Sequence, residues 1–402
     1  MVTLTQIEEA RKRTRDAIYY SPLASSEVLS EASGNRVFVK LENLQMTGSF
    51  KERGALNKML ALSPEERARG VFAASAGNHA QGVAYHARRL GIQSTIVMPS
   101  GTPLIKLTST RGYGAHVILN GPTYDDAYRE ARRLCDQAKG VFIHAFDDPD
   151  IIAGQGTCGL EILEQNPEIE AVVVPVGGGG LIGGIALAVK QKKPKIRVIG
   201  VQSAAVPSMI EAVRQGKCPE LPPGQTMADG IAVRKVGEQT LPLVQKYVDA
   251  IVTVDEEEIA NAILFLLERE KTVAEGAGAV GVAALLQKRT DLSGKKVAVV
   301  VSGGNIDVNI LSRIIEKGLV KDGRLVKLRI LVSDRPGGLS GLTRLIAESR
   351  ANIMEIVHNR AFADVGYAET EVAVTLETRG PEHVEEIIGK LRQGGYRVTQ
   401  DI

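Results

Sequence analysis

Short apolar, β-branched runs alternate with helical stretches over the first three quarters of this chain, and that alternation confines it to parallel βαβ architecture. Val37–Leu41, Gly70–Ala74, Ser94–Met98, Ala115–Leu119, Val141–His144, Ala171–Val176, Lys195–Val201, Ile251–Val254 and Lys295–Val301 read as strands. Between them, Phe50–Leu62, Ala80–Leu90, Leu104–Arg111, Thr123–Ala138, Ile151–Glu164, Leu181–Lys190, Val206–Gln215 and Glu256–Glu270 read as helices, while Lys217–Asp229 is a long polar loop. The grammar changes near the end. Val326–Val332, Asn352–Arg360, Ala368–Leu376 and Tyr396–Thr399 are strands with helices at Gly338–Ser349 and Pro381–Gln393, a βαββαβ order typical of a small separate domain. The stretch Leu319–Arg324, with Asp322-Gly323 at its centre, reads as a linker, so the expected division is 1–320, a linker at 321–325, and 326–402.

Charge narrows the partners. The 402 residues carry 49 Lys and Arg against 47 Asp and Glu, so nothing in the charge predicts a nucleic-acid surface or an anionic-membrane footprint. Small molecules and copies of the chain itself are the expected partners. Cys135, Cys158 and Cys218 are odd in number and lack Cys-x-x-Cys or His spacing, which argues against a disulfide framework and a structural zinc. With no apolar signal segment in Met1–Arg11 and no long apolar run, the expected location is the cytoplasm.

Chemistry concentrates at strand-to-helix junctions. Thr47-Gly48-Ser49-Phe50-Lys51 places one lysine where a helix begins, with Ser49 as the expected N-cap. The positive end of the helix dipole would depress the Lys51 pKa and free its amine as a nucleophile. Gly177-Gly178-Gly179-Gly180 stands between a buried strand and a helix, where backbone N–H groups accept a phosphate; close packing of helix on strand is the other reading. The pattern also fits G-x-G-x-x-G, yet the next strand ends Gly200-Val201-Gln202-Ser203 without the carboxylate a dinucleotide ribose needs, and no G-K-[ST] follows the glycines. Ser75-Ala76-Gly77-Asn78-His79 and Ser302-Gly303-Gly304-Asn305 are two more junctions, suited to a carboxylate and to a neutral hydroxyl. In an open parallel sheet such junctions converge on one cleft, and these four groups are what pyridoxal phosphate and an amino acid require.

On these residues the first ~320 positions resemble the fold type II pyridoxal-phosphate enzymes (tryptophan synthase β-like, α/β, two open-sheet subdomains with the smaller at about 50–150). Within them the chain resembles the threonine dehydratases, or threonine ammonia-lyases. The resemblance implies that Lys51 anchors pyridoxal 5′-phosphate and serves as the Cα base. It further implies that Phe50 packs beside the ring, Asn78 meets the phenolic oxygen, Gly177–Gly180 with Leu181 hold the phosphate, and Ser302 meets the pyridine nitrogen. Ser75, Ala76, Gly77, Asn78 and His79 would form the substrate-carboxylate loop, and Ala274-Glu275-Gly276-Ala277-Gly278 matches a further signature that brings Glu275 to the site. The implied reaction is β-elimination of threonine to 2-oxobutanoate and ammonia, or of serine to pyruvate.

Serine racemases are relatives, but the second serine they use falls at Ala76, and their metal carboxylates fall near Gln202, Val206 and Ser208; no metal is expected. The C-terminal segment resembles an ACT domain. That resemblance implies an amino-acid effector, isoleucine or another branched-chain residue, at Asp334, Pro336, Gly337, Gly338, Leu339, Asn352 and Ile353, within a homodimer or homotetramer. Against these readings stand a nicotinamide oxidoreductase and a non-catalytic amino-acid sensor.

Overall fold

A run such as Val297–Val301 offers no polar face to water, so it can form strand only where both sides are covered; all five residues are fully buried. Burying one such side chain is worth about 1.5–3 kcal/mol. The run is central to the larger sheet of a unit spanning Met1–Ile306, one of two compact units in the chain. The computed structural model describes residues 1–359 and 366–401.

In chain order this unit comprises α1 (Leu4–Thr14), β1 (Leu23–Ser26), α2 (Glu27–Ser33), β2 (Arg36–Leu41), α3 (Lys51–Ala61), α4 (Pro64–Ala68), β3 (Val71–Ala74), α5 (Asn78–Arg89), β4 (Ser94–Met98), α6 (Leu104–Gly112), β5 (His116–Leu119), α7 (Tyr124–Ala138), β6 (Val141–Phe142), α8 (Pro149–Gln165), β7 (Ala171–Pro175), α9 (Gly180–Lys192), β8 (Arg197–Ser203), α10 (Ser208–Gln215), α11 (Thr240–Tyr247), β9 (Ala250–Val254), α12 (Glu256–Glu268), α13 (Gly276–Leu286) and β10 (Lys296–Val301). The larger sheet runs β1-β2-β10-β7-β8-β9, parallel except for β1 on β2. A smaller, wholly parallel sheet runs β5-β4-β3-β6.

Several elements differ from expectation. β6 stops at Phe142 rather than His144, because the His144 ring accepts hydrogen bonds from the next N–H groups and turns the chain. Two segments to which the sequence reading gave no element carry structure: β1 and α2 pack beside β2, and the Gly/Ala-rich Gly276–Leu286 is a buried helix whose small side chains let it lie against the sheet. Beneath α3 lies a cluster of buried charges. The Arg53 guanidinium donates to Glu42 at 2.6 and 2.7 Å, to both Glu161 oxygens at 2.8 Å and to Thr157 at 3.1 Å, while Lys40 donates to Glu161 at 2.7 Å.

The second unit, Asp307–Ile402, contains α14 (Val308–Lys321), β11 (Leu325–Ser333), α15 (Gly338–Glu348), β12 (Asn352–Asn359), β13 (Glu369–Glu377), α16 (Pro381–Gln393) and β14 (Arg397–Asp401). Its sheet is antiparallel in the order β12-β13-β11-β14, with Val326, Leu328, Ile330 and Val332 alternating into a core shared with α15 and α16. The stretch expected as a linker is different. Residues 319–321 are the last turn of α14, whose start is capped by Asp307, so the unit boundary falls between Ile306 and Asp307 and only Asp322–Arg324 separate helix from strand. Arg360, the expected last residue of the second strand, lies outside the described residues.

Candidate active site

The chain entering α3 is held by backbone pairing to the end of β10. Phe50 N–H donates to the Ser302 carbonyl at 3.0 Å, Gly304 N–H to Gly48 at 2.9 Å, and the Asn305 side chain to the Thr47 carbonyl at 2.8 Å; Ser49 and Gly303 form an antiparallel bridge. This pairing replaces the expected Ser49 cap: Phe50 occupies the N-cap position in helical geometry, and the buried Ser49 hydroxyl has no partner among the described residues.

Lys51 opens the helix. Its Nζ donates to the Ala145 carbonyl at 3.1 Å and lies 5.1 Å from the centre of the Phe50 ring. Burial lowers its pKa to about 8, with the Glu275 carboxylate acting in the opposite direction. Loss of water around the amine is the main cause of the lowered value.

Three junctions meet at Asn78, the first residue of α5. Its amide nitrogen donates to Glu275 at 2.6 Å and its oxygen accepts from Asn305 at 2.8 Å. Glu275 is buried, and burial with the nearby Asp229 raises its pKa to about 7 against the Asn78 hydrogen bond and the cations Lys106 and Lys51. Lys106 is itself paired with Asp229 at 2.7 Å. A side chain at Gly303 would collide with Glu275 Oε1, so glycine there makes room for the carboxyl. Ser302 is buried beside them, its hydroxyl 3.4 Å from the Ala277 carbonyl. In the Ser75–His79 loop the Ser75 hydroxyl accepts from Gly77 N–H at 3.1 Å, and Ala76 packs against the small-sheet core. The His79 ring points away, bonded to the Ile143 carbonyl at 2.9 Å and kept neutral by burial at a pKa of about 3, so only its backbone is available to a ligand.

The glycine loop follows β7. Gly179 takes φ +96° as the N-cap of α9, a left-handed conformation that favours glycine, and any side chain at Gly178 would strike the Phe146 ring. Among the described residues no protein group accepts a hydrogen bond from the N–H groups of residues 177–181, Leu181 included. Unpaired amides at a helix start are the groups that bind a phosphate, and the partly deprotonated amine of Lys51 is the group that attacks a carbonyl, so these residues fit pyridoxal 5′-phosphate. The turn Ala145–Asp147, Lys106 and Asp229 were not foreseen. Only the His-Ala-Phe-Asp-Asp-Pro run at a strand-to-helix junction could have pointed to the first of them.

Two parallel sheets, their carboxyl ends gathered around one desolvated lysine and a row of unpaired amides, define an α/β enzyme that holds an anionic carbonyl cofactor. Residues 14–303 match the pyridoxal-phosphate dependent enzyme family, and the chain belongs to it. It is 54% identical over 398 residues, 99% of both chains, to the L-threonine ammonia-lyase of Thermotoga maritima, and 49% identical, again over 99% of both, to that of Geobacter sulfurreducens. Among solved structures it resembles maize serine racemase (TM-score 0.75, 35% identity, 80% of this chain and 98% of that one). It likewise resembles the processed threonine deaminase isoform 2 of Solanum lycopersicum (TM-score 0.75, 39% identity, 78% of this chain and 86% of that one).

Proposed function

We propose that the chain is a threonine ammonia-lyase that eliminates water from L-threonine, and also from L-serine, to an enamine that takes up water on hydrolysis to give 2-oxobutanoate or pyruvate plus ammonia. The observation that carries this reading is the Lys51 amine, desolvated to a pKa of about 8 beside an unpaired amide loop, in a chain that matches threonine ammonia-lyases end to end. Pyridoxal 5′-phosphate, when bound, supplies an aldehyde for the substrate amine and an electron sink for charge developing at Cα. The amides of Gly177–Gly180 and Leu181 hold its phosphate, Asn78 its phenolic oxygen and Ser302 its ring nitrogen, with Phe50 beside the ring and Glu275 fixing Asn78.

Lys51 would anchor the cofactor, and its neutral amine would take the Cα proton; a pKa near 8 leaves it basic enough to do so and neutral often enough at physiological pH. Ser302 would offer the ring nitrogen a neutral hydroxyl rather than a carboxylate. The backbone of Ser75–His79 holds the substrate carboxylate at the start of α5. Ala76 has no proton to return to Cα from the other face, which favours elimination over racemisation. Gln202 fits the same view: its side chain bonds the Val176 carbonyl and the Met209 and Ile210 N–H groups, a structural use of that strand end.

The C-terminal unit serves as an ACT regulatory domain that binds an amino acid such as isoleucine at Asp334, Pro336, Gly337, Gly338, Leu339, Asn352 and Ile353. Gly337, at φ +90°, opens α15 with no side-chain cap, and helix-start amides suit a carboxylate. The assembly is a cytoplasmic homodimer or homotetramer. The purified protein should be yellow and release 2-oxobutanoate from threonine; a colourless protein that binds no pyridoxal phosphate overturns the assignment. Titration calorimetry of the full chain against amino acids tests the effector, and no heat beyond that of the substrates rejects it.

A further inference from the structure

The geometry points to His144 as a positioning residue that holds the Lys51 amine and the Gly178 peptide in register through one turn, an inference that rests on the function proposed above. His144 follows β6, and its Nδ1 accepts from Phe146 N–H at 3.2 Å and from Asp147 N–H at 2.8 Å. A ring nitrogen that accepts two hydrogen bonds carries no proton, so these bonds assign the neutral tautomer protonated on Nε2. Burial agrees, bringing the pKa down to about 4 although Asp147 and Asp148 pull it up. The imidazole is wedged edge-on against Phe146, with ring centres 4.7 Å apart, and against Tyr128 at 6.2 Å.

Each residue of the turn that His144 closes reaches a different part of the site. The Ala145 carbonyl receives the Lys51 amine. The Phe146 ring lies on Gly178, and its backbone abuts Gly180. The Asp147 carboxylate accepts from the Glu238 and Gln239 N–H groups at 3.0 and 2.9 Å. That segment returns to the glycine loop, where the Thr240 hydroxyl and Gly237 N–H both donate to the Gly178 carbonyl, at 2.6 and 3.2 Å. Gly178 is therefore clamped from two sides by groups that depend on one turn, and the same turn supplies the only protein acceptor described for the Lys51 amine. Phosphate cradle and nucleophile belong to distant parts of the sequence, and His144 sets the distance between them.

Two substitutions separate the nitrogen from the ring. His144→Phe keeps the aromatic wedge and removes the acceptor, leaving two N–H groups without a partner; His144→Asn sheds the ring but keeps an oxygen able to accept from the same N–H groups. The full-length apo protein is titrated with pyridoxal phosphate and, separately, with inorganic phosphate, and the pH midpoint of Lys51 modification by an amine-directed reagent is read by mass spectrometry. His144→Phe should weaken both affinities about tenfold to a hundredfold and lower the midpoint, while His144→Asn stays within about threefold of wild type. Wild-type behaviour of His144→Phe, or equal loss in both variants, overturns the inference. Should His144→Phe melt out at room temperature, His144→Asn decides alone: retention supports the turn and loss rejects it. Failure of the wild type to bind pyridoxal phosphate would instead count against the proposed function, and the phosphate and modification readings would still decide the role of His144.

Discussion

Lys51 and Arg53 stand two residues apart in the first turn of α3, and both bring a positive charge out of water, yet they come to opposite ends. Arg53 is enclosed by Glu42 and Glu161, which hold the guanidinium firmly ionised although burial works against it. Glu42 in turn is kept below its usual range by Arg53, again against burial. Lys51 has one carbonyl and the distant help of Glu275, so burial prevails and the amine gives up its proton easily. Whether a buried cation is a strut or a reagent depends on how completely its charge is answered, not on how deeply it is buried.

Exchanging the members of this pair should break two different properties. Lys51→Ala is expected to reduce 2-oxobutanoate release by about 10³-fold or more while the melting temperature holds or rises, measured by a coupled assay beside calorimetry. Arg53→Met should do the reverse in kind, taking from buried Glu42 its ion-pair partner while Glu161 keeps Lys40 and Arg11, and destabilising the fold by about 3–5 kcal/mol in urea titrations. Gly178→Ala disturbs neither charge, but its methyl group drives Phe146 aside; pyridoxal-phosphate affinity should fall about tenfold, as read from absorbance titration of the apo protein.

The smallest effects concern pH. Half-modification of Lys51 should occur near pH 8 in the apo protein, and Glu275→Gln should shift that midpoint lower, since the lost carboxylate favoured the ammonium. Stability carries the same sign. With a folded-state pKa below the unfolded one, the folded chain binds fewer protons between pH 8 and the ordinary lysine value of about 10.4, so the contribution of Lys51 makes the fold firmer as pH rises through that window. Lys51→Met should remove that rise in melting curves taken across it.

Period and punctuation made most of this fold legible. The valine runs of β7 and β10 are buried on both faces and could be nothing else, and the glycines after β7 announced a helix start with amides to spare. Ser49 shows where such reading ends: a serine before a helix has the look of a cap, but its backbone is claimed by Gly303, from the far side of the unit. α13 was hidden because its glycines and alanines carry no amphipathic stripe, and α14 because a helix near a domain boundary resembles a tether until its partners are known. At the site, the junction residues Lys51, Asn78 and Gly177–Gly180 could be singled out from local pattern alone. Groups recruited by distant contact, such as Ala145, Lys106 and Asp229, leave no local trace.

The pairing of β2 with β10, and of Ser49 with Gly303, also bears on how the protein is made. The lysine leaves the ribosome early, but the strand that fixes its loop is the last of the catalytic unit to be synthesised. A nascent chain carrying Lys51 has no finished site for most of its synthesis, and β2, which pairs on one edge with β1, must wait for its other neighbour. On the proposed assignment, pyridoxal phosphate would be captured firmly only after residue 303 has emerged, and a chain broken off before that point would hold the Lys51 amine with nothing to aim it.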